Sequence, residues 1–287
     1  MPALTEKEAQ KLLKGISIPP QPQIVVDLQI EMSMPDVNLD KINQIICKDV
    51  GISGSVLKVV NSPFFGLRNH ITSIRQALSL LGLKNVINVV NSLAMRQSLT
   101  FSELKELTII WDNAMDVALV AAALAKMLGV CSSDEAYTLG LFHDTGIHLL
   151  IGKHENYLKV LRQAYSHPNQ RVTEVENELL STNHAVVGYY VARAWNLPLY
   201  LSEAIADHHK SEAIFAEHVA CDDKKKNLLA ILKLAENTCK DYRTLGHQTI
   251  DYEFERIKTD LLIYLGLSSY DVQMIQAEIM DMGLLIT

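Results

Sequence analysis

Apolar residues recur at helical spacing along almost the whole chain, and strand-like alternation is scarce. Ile42, Ile45 and Ile46 form one stripe, and Val86, Val89, Val90 and Leu93 another. A chain patterned in this way buries its apolar faces helix against helix, so the expected fold class is all-α. Glycine and proline punctuate the helices. Proline removes a donor and fixes φ, so Ile18-Pro19-Pro20-Gln21-Pro22 reads as an extended connector. Before it, Thr5 with Glu8 forms a capping box for a first helix ending near Gly15. After it, helices are expected over 23–32, 39–48 and 52–61, the last stopped by Asn61-Ser62-Pro63. A second capping box, Ser73-x-x-Gln76, opens a short helix closed by Gly82, and 84–98 follow as the next. The chain restarts around Thr100–Ser102, and a long helical run leads through Trp111 to Gly129. Ser132-x-x-Glu135 is expected to cap a helix carrying Phe142-His143-Asp144. Further helices fit 154–166, 172–180, His184 to Trp195, and 199–210. The remainder is helical with a loop near 241–250. The organisation expected is an N-terminal helical lobe over about 16–100, a second over 101–212, and a helical extension over 213–287.

Composition narrows the function. With 48% hydrophobic and 21% charged residues, the chain can bury a core of ordinary size. A net charge of −7 argues against broad nucleic-acid binding, which needs a basic surface to displace counterions. The Lys224-Lys225-Lys226 run is the one basic cluster and reads as a solvated loop. Cys47, Cys131, Cys221 and Cys239 are widely scattered without a C-x-x-C pair, which fits a reduced cytoplasmic setting. The charged N-terminus lacks an apolar signal core, and no apolar run reaches a membrane-spanning length. The alanine-rich stretch near residue 120 reads as a buried helix. There is no phosphate-binding G-x-x-x-x-G-K-[ST] loop, no G-x-G-x-x-G and no G-x-S-x-G elbow.

The chemically unusual feature is the placement of histidines. His143-Asp144, His184 and His208-His209 combine the imidazole and carboxylate donors that Zn, Mn, Fe or Mg sites use. A lone helical histidine is more often a hydrogen-bonded packing residue than a ligand. Five such groups on three helices are costly to bury without partners, which favours a shared site. Leu201, Ala204, Ile205 and His208 share one helical face, and His184 shares a stripe with Val187 and Val191. On an ideal helix His209 points about 100° from His208. The two then serve different metals, or only one faces the site. His148, His154, His167, His218 and His247 have no such company and read as surface or loop residues.

Gly140-Leu141-Phe142-His143-Asp144-Thr145-Gly146 resembles the GLLHDIG signature of HD-superfamily phosphohydrolases. Ile18-Pro19-Pro20-Gln21-Pro22, the segment from Asp49 through Asn61-Ser62-Pro63-Phe64-Phe65-Gly66, and Ile71-Thr72-Ser73-Ile74 resemble ordered motifs of the HDOD family, a modified HD scaffold used in bacterial signalling. The likeness continues through His184-Ala185-Val186-Val187-Gly188, Trp195-Asn196-Leu197-Pro198 and His208-His209, and covers roughly 16–210. It implies a metal set of His143, Asp144, His184, His208 and His209, with Asp144 at the catalytic position of an active member. It also implies two departures. The early metal histidine falls at Asn113, and a neutral amide is a poor ligand for Zn or Fe. The later aspartate falls at Glu236 or Asn237. Gly188-Tyr189-Tyr190 does not supply the GYP motif of cyclic-dinucleotide hydrolases. The resemblance leaves open one divalent ion (Fe, Mn, Zn or Mg), a two-metal centre, or no ion. Its leading implication is a signalling protein with a degenerate metal site. Such a protein would bind regulatory or signalling proteins, with a homodimer as one form open to it, and neither nucleic acid nor membrane. The alternatives are a metal-dependent phosphohydrolase acting on a nucleotide or other phosphate ester, and a non-catalytic sensor of a small ligand.

Overall fold

The computed structural model describes residues 12–61, 67, 69–99 and 105–284. Among the described residues the chain is helical and has no strand. The capping box at Thr5 and Glu8, the Ser62–Gly66 turn and the restart at Thr100–Ser102 lie outside the described residues. The chain divides into two compact units. One is Pro19–Thr100 with Met280–Thr287, and the other is Met1–Ile18 with Phe101–Ile279.

The smaller unit contains α1 (Gln23–Met32), α2 (Leu39–Cys47), α3 (Val50–Val60), α4 (Ile74–Leu81) and α5 (Leu83–Leu99). Ile42, Ile46, Val56, Val60, Val86 and Val90 are wholly buried at its centre. Short polar side chains start its helices by accepting orphan N–H groups. Asn38 Oδ1 accepts from Asp40 and Lys41, Asp49 Oδ1 from Ile52, and Ser73 Oγ from Gln76. Gln76 turns its own oxygen to the N–H of Thr72, one residue before the expected cap partner. Asn61 closes the loop that follows α3. Its amide donates to the carbonyl of Ile71 at 2.8 Å while its oxygen accepts the Ile71 N–H at 2.7 Å.

The larger unit opens with α6 (Lys105–Leu128), followed by α7 (Ser133–Phe142), α8 (Thr145–Lys153), α9 (Tyr157–Tyr165), α10 (Val172–Leu180), α11 (His184–Ala194) and α12 (Leu199–Asp207). A 3₁₀ turn over His208–Lys210 leads to α13 (Ser211–Phe215). Then come α14 (Asp223–Cys239), α15 (Asp241–Thr244), α16 (Tyr252–Leu265) and α17 (Ser269–Asp281). Residues 213–279, set apart in sequence as an extension, fold into this same unit, where α14 packs on α6 and α7. The alanine-rich stretch is only the middle of α6. The whole helix is long and apolar enough to cross a membrane by length and composition, but 67% of its apolar window is buried in the unit.

Two glycines set the spacing at the centre. A Cβ on Gly140 would lie 2.8 Å from Ala118 Cα, so α7 crosses α6 with backbones in contact. A Cβ on Gly146 would fall 2.0 Å from the carbonyl oxygen of His184, so α8 and the start of α11 also touch through bare backbone.

Local expectations fail where tertiary partners compete. Ser132 makes no capping hydrogen bond, and Glu135 instead takes Lys224 at 2.8 Å and the Tyr200 hydroxyl at 2.6 Å. The Lys224–Lys226 run is the first turn of α14 rather than a solvated loop. Lys225 reaches Asp207 at 3.2 Å, and Lys226 is buried over the Tyr264 ring.

Candidate metal centre

The site begins where a helix fails. α7 stops at Phe142, and His143 and Asp144 form a two-residue turn before α8. They were expected inside one continuous helix, where neighbouring side chains diverge by about 100°. Side chains compete for the local carbonyls instead. His143 Nδ1 sits 2.7 Å from the Gly140 oxygen, and the Thr145 hydroxyl donates to the Phe142 oxygen at 2.8 Å. In the turn, His143 Nε2 and Asp144 Oδ2 face each other at 3.2 Å.

A second break brings His208 and His209 together. α12 ends at Asp207, with φ −110 and ψ 4, and the 3₁₀ turn takes over. His208 Nδ1 is tied to the Ile205 oxygen at 2.6 Å and His209 Nδ1 to Glu253 at 2.6 Å. Both Nε2 atoms therefore converge on His184 Nε2, at 3.2 and 3.0 Å. The divergence expected of an ideal helix does not apply, because there is no continuous helix through the pair.

His184 opens α11 on the cap supplied by Asn183, whose Oδ1 accepts from Val186. Its Nδ1 lies 2.7 Å from Glu176, a fully buried carboxylate on α10. Glu176 also accepts from the Tyr157 hydroxyl. Each of the four imidazoles thus has Nδ1 against an acceptor oxygen, which keeps a proton on Nδ1 and turns Nε2 inward, as a lone pair where the ring is neutral and as a second N–H where it is charged, the form favoured for His143 and His184. His208 Nε2 and His209 Nε2 lie 3.2 and 3.0 Å from His184 Nε2, and bare lone pairs at that spacing cannot hydrogen-bond one another. A second proton on one ring, or a cation among the three, relieves the contact, and the cluster has the donors to hold a cation. Asp144 Oδ1 faces the same space, 3.4 Å from His184 Nε2 and 3.6 Å from His208 Nε2, and no hydrogen bond satisfies it.

The donors fall into two groups that share Asp144. Asp144, His184, His208 and His209 form one, and His143, Asp144 and Asp241 the other. All six residues are buried. Three imidazoles and a carboxylate, with the imidazoles held from behind by acceptors, are a donor set that fits a divalent ion of the Zn, Mn or Fe type. The arrangement can bind and orient such an ion, and when bound it would act as a Lewis acid toward an oxygen donor.

Charge around the centre follows from burial set against these neighbours. Burial pushes the Asp144 carboxyl up, but the imidazoles of His143, His208 and His184 hold it well below the ordinary carboxylate range. Burial pushes His143 down, and Asp144, Glu236 and Asp241 outweigh it, raising the imidazole to about 9. Burial, reinforced by the neighbouring His209 when charged, holds His208 well below the ordinary imidazole value. Burial and the nearby Glu236 carboxyl drive Asp241 well above the usual carboxylate range.

His143, Asp144, His184, His208 and His209 are brought together. Asn113 is buried, and its amide donates to Asp241 Oδ1 at 3.1 Å. Glu236 faces the same space: Oε2 pairs with Lys233 at 2.7 Å, and the buried Oε1, without a hydrogen-bond partner, is 3.8 Å from His143 Nε2, against 3.9 Å for Asp241 Oδ2. Asn237 faces elsewhere and donates to Asp251 at 3.0 Å. The carboxylate in the donor group is Asp241, on the short α15, in the stretch expected to be a loop. Glu176, Glu253 and Lys233 were also missed. Two of these had a detectable signal. Glu176 follows Val172 by four residues and Lys233 follows Leu229 by four, so each is a charge on an apolar face. Nothing local marks Asp241. His148, expected at the surface, is buried edge-on to Trp111, and burial lowers its pKa to about 4.

The HDOD domain model matches residues 18–211. The fold is shared with an HDOD domain protein of unknown function from Geobacter sulfurreducens. That structure is 24% identical, with a TM-score of 0.72 over 96% of this chain and 93% of the other. A candidate phosphohydrolase from Shewanella amazonensis SB2B has 21% identity and a TM-score of 0.70 over 96% of both chains. At these identities the likeness establishes the fold alone. An uncharacterized protein of Treponema pallidum (strain Nichols) is 29% identical over 195 residues, which are 67% of this chain; the match spans 37% of that protein's length. The matched residues contain the His143-Asp144 turn, His184 and the His208-His209 pair, and the chain belongs to the HDOD family.

Proposed function

We propose that this chain is a signalling module that acts by binding regulatory proteins, and that its centre holds one divalent ion as a structural fixture. The observation that carries the reading is enclosure. Asp144, His184, His208 and His209 are each no more than 3% exposed, and together they supply four protein donors. Catalytic sites of this kind keep a coordination position open to water or substrate, whereas structural sites are closed by protein. The second donor group offers less, because Asn113 stands where a further histidine ligand is expected and its amide donates to Asp241. The test is elemental mass spectrometry on untagged protein, alongside hydrolysis of bis-p-nitrophenyl phosphate. The expected result is about one equivalent of Zn, Fe or Mn per chain, with no hydrolysis above that of Asp144→Ala. Less than about a tenth of an equivalent, with no uptake of added metal, would overturn the structural ion.

One observation favours a second reading, a two-metal phosphohydrolase. The two oxygens of Asp144 face separate donor groups, Oδ2 toward His143 and Oδ1 toward His184 and His208. A bridging carboxylate of this kind is what a paired-ion site requires. Two equivalents of metal, with hydrolysis abolished in Asp144→Ala, would establish it.

A further inference from the structure

A cavity of about 220 Å³ lies in the larger unit, lined by none of the donors described above. Its walls come from the first turns of α6, from α9, and from the end of α15. Ile110, Leu161 and Leu245 are buried in its floor, and Leu158 is half-buried beside them. Ile109 stands at the mouth with 52% of its surface exposed, an apolar side chain left in water.

Arg162 is the one arginine of the lining, at the last turn of α9. It is half-buried, and among the described residues no carboxylate or carbonyl takes its guanidinium. The α9 C-terminus favours a cation there through the helix dipole. The charges nearby select the ligand further. A guanidinium fork matches a planar carboxylate through two parallel hydrogen bonds. Glu106, exposed on the α6 part of the lining, disfavours an occupant of higher negative charge. The size excludes large ligands, since drug-sized pockets begin near ~300 Å³.

We propose that this cleft binds a small amphipathic carboxylate, a short acyl chain or single aromatic ring bearing one carboxyl group, with the carboxylate on Arg162 and the apolar body against Ile110, Leu158 and Leu161. The cleft also has an informative position. Ile110 is three residues before Asn113 on α6, Thr244 three residues after Asp241 on α15, and Leu161 four residues after Tyr157 on α9. All three walls therefore lead within one helical turn to a residue at or behind the candidate metal centre.

The probe is octanoate, with octanol as the uncharged control, titrated calorimetrically into the full chain at pH 7.5. Octanoate is expected to saturate below about 1 mM and to bind at least about tenfold more tightly than octanol, the worth of one charge-assisted pair. Arg162→Ala is expected to reduce octanoate to the level of octanol, and Arg162→Lys to keep part of the difference. Arg162 is half-buried and its side chain has no hydrogen bond or ion pair among the described residues to lose, so both variants should fold, which far-UV circular dichroism checks. Equal binding of octanoate and octanol, octanoate binding unchanged in Arg162→Ala, or no saturable binding at all would overturn the assignment.

Discussion

Glu176 has no solvent in reach and three donors to satisfy: the Nδ1–H and backbone N–H of His184, and the Tyr157 hydroxyl. Removing a buried acceptor strands its donors at about 1–3 kcal/mol each. Glu176→Ala is therefore expected to lower stability by about 3 kcal/mol. Thermal unfolding should report a drop of several degrees, since 1 kcal/mol is worth roughly 2–4 °C at this size. The same variant should weaken metal uptake by about 10–100-fold, because the ring behind Nε2 is no longer held. Unchanged uptake with lowered stability would separate the buried network from the metal. Asp116 tests a different residue-scale effect. Burial, with Asp112 beside it, raises its carboxyl from 3.8 to about 6. The folded pKa lies above the unfolded one, so the fold disfavours the ionised form. The cost is absent below pH 3.8, grows as pH rises toward 6, and is complete above it. The full shift corresponds to about 3 kcal/mol, which partial exposure reduces to about 1 kcal/mol. Asp116→Asn should accordingly stabilise the protein by about 1 kcal/mol at pH 8 and not at all at pH 3.5. Urea denaturation at the two pH values decides it, and an equal gain at both would refute the titration argument.

At the scale of elements, the centre depends on helices that approach more closely than side chains allow. Gly140 puts α7 on the backbone of Ala118 and Val117, with no flexible side-chain end to give way. Gly140→Ala forces the two helices apart, and overpacking of this kind costs about 1–3 kcal/mol or more. Gly54 is the contrasting case, in the interior of α3 with nothing within 4 Å of an added Cβ. Gly54→Ala should stabilise by about 0.5–1 kcal/mol, from helix propensity and the loss of unfolded-state freedom. Equilibrium denaturation of the two variants should shift in opposite directions. The same closeness explains the centre itself, since His143-Asp144 and His208-His209 are useful because their helices break there.

At the scale of the molecule, the cleft and the centre share three helices, so any effect of one on the other is a coupling free energy and is reciprocal. If octanoate stiffens α6, α9 and α15, saturating octanoate should change metal affinity by about fivefold or more. Metal should change octanoate affinity by the same factor. Competition with a chromophoric chelator, with and without octanoate, measures it. Superimposable curves would mean that the two sites are independent.

The sequence by itself determined the all-α class and most helix positions, because apolar periodicity and capping residues are local and tertiary context did not oppose them. It also singled out His143, Asp144, His184, His208 and His209 as candidates that the fold then brings together, because burying several polar groups on apolar faces is costly and therefore conspicuous. Tertiary structure alone decided that His208 and His209 converge, since the break at Asp207 and the pull of Glu253 depend on α16, 44 residues away. It decided that Asp241 stands beside Glu236 next to His143, and that Asn113 meets Asp241 across 128 residues. It decided that His148 is buried against Trp111. Helix propensity is written in neighbours along the chain, whereas the direction of a ligand is set by whatever packs behind it, and that partner is fixed only when the chain has folded.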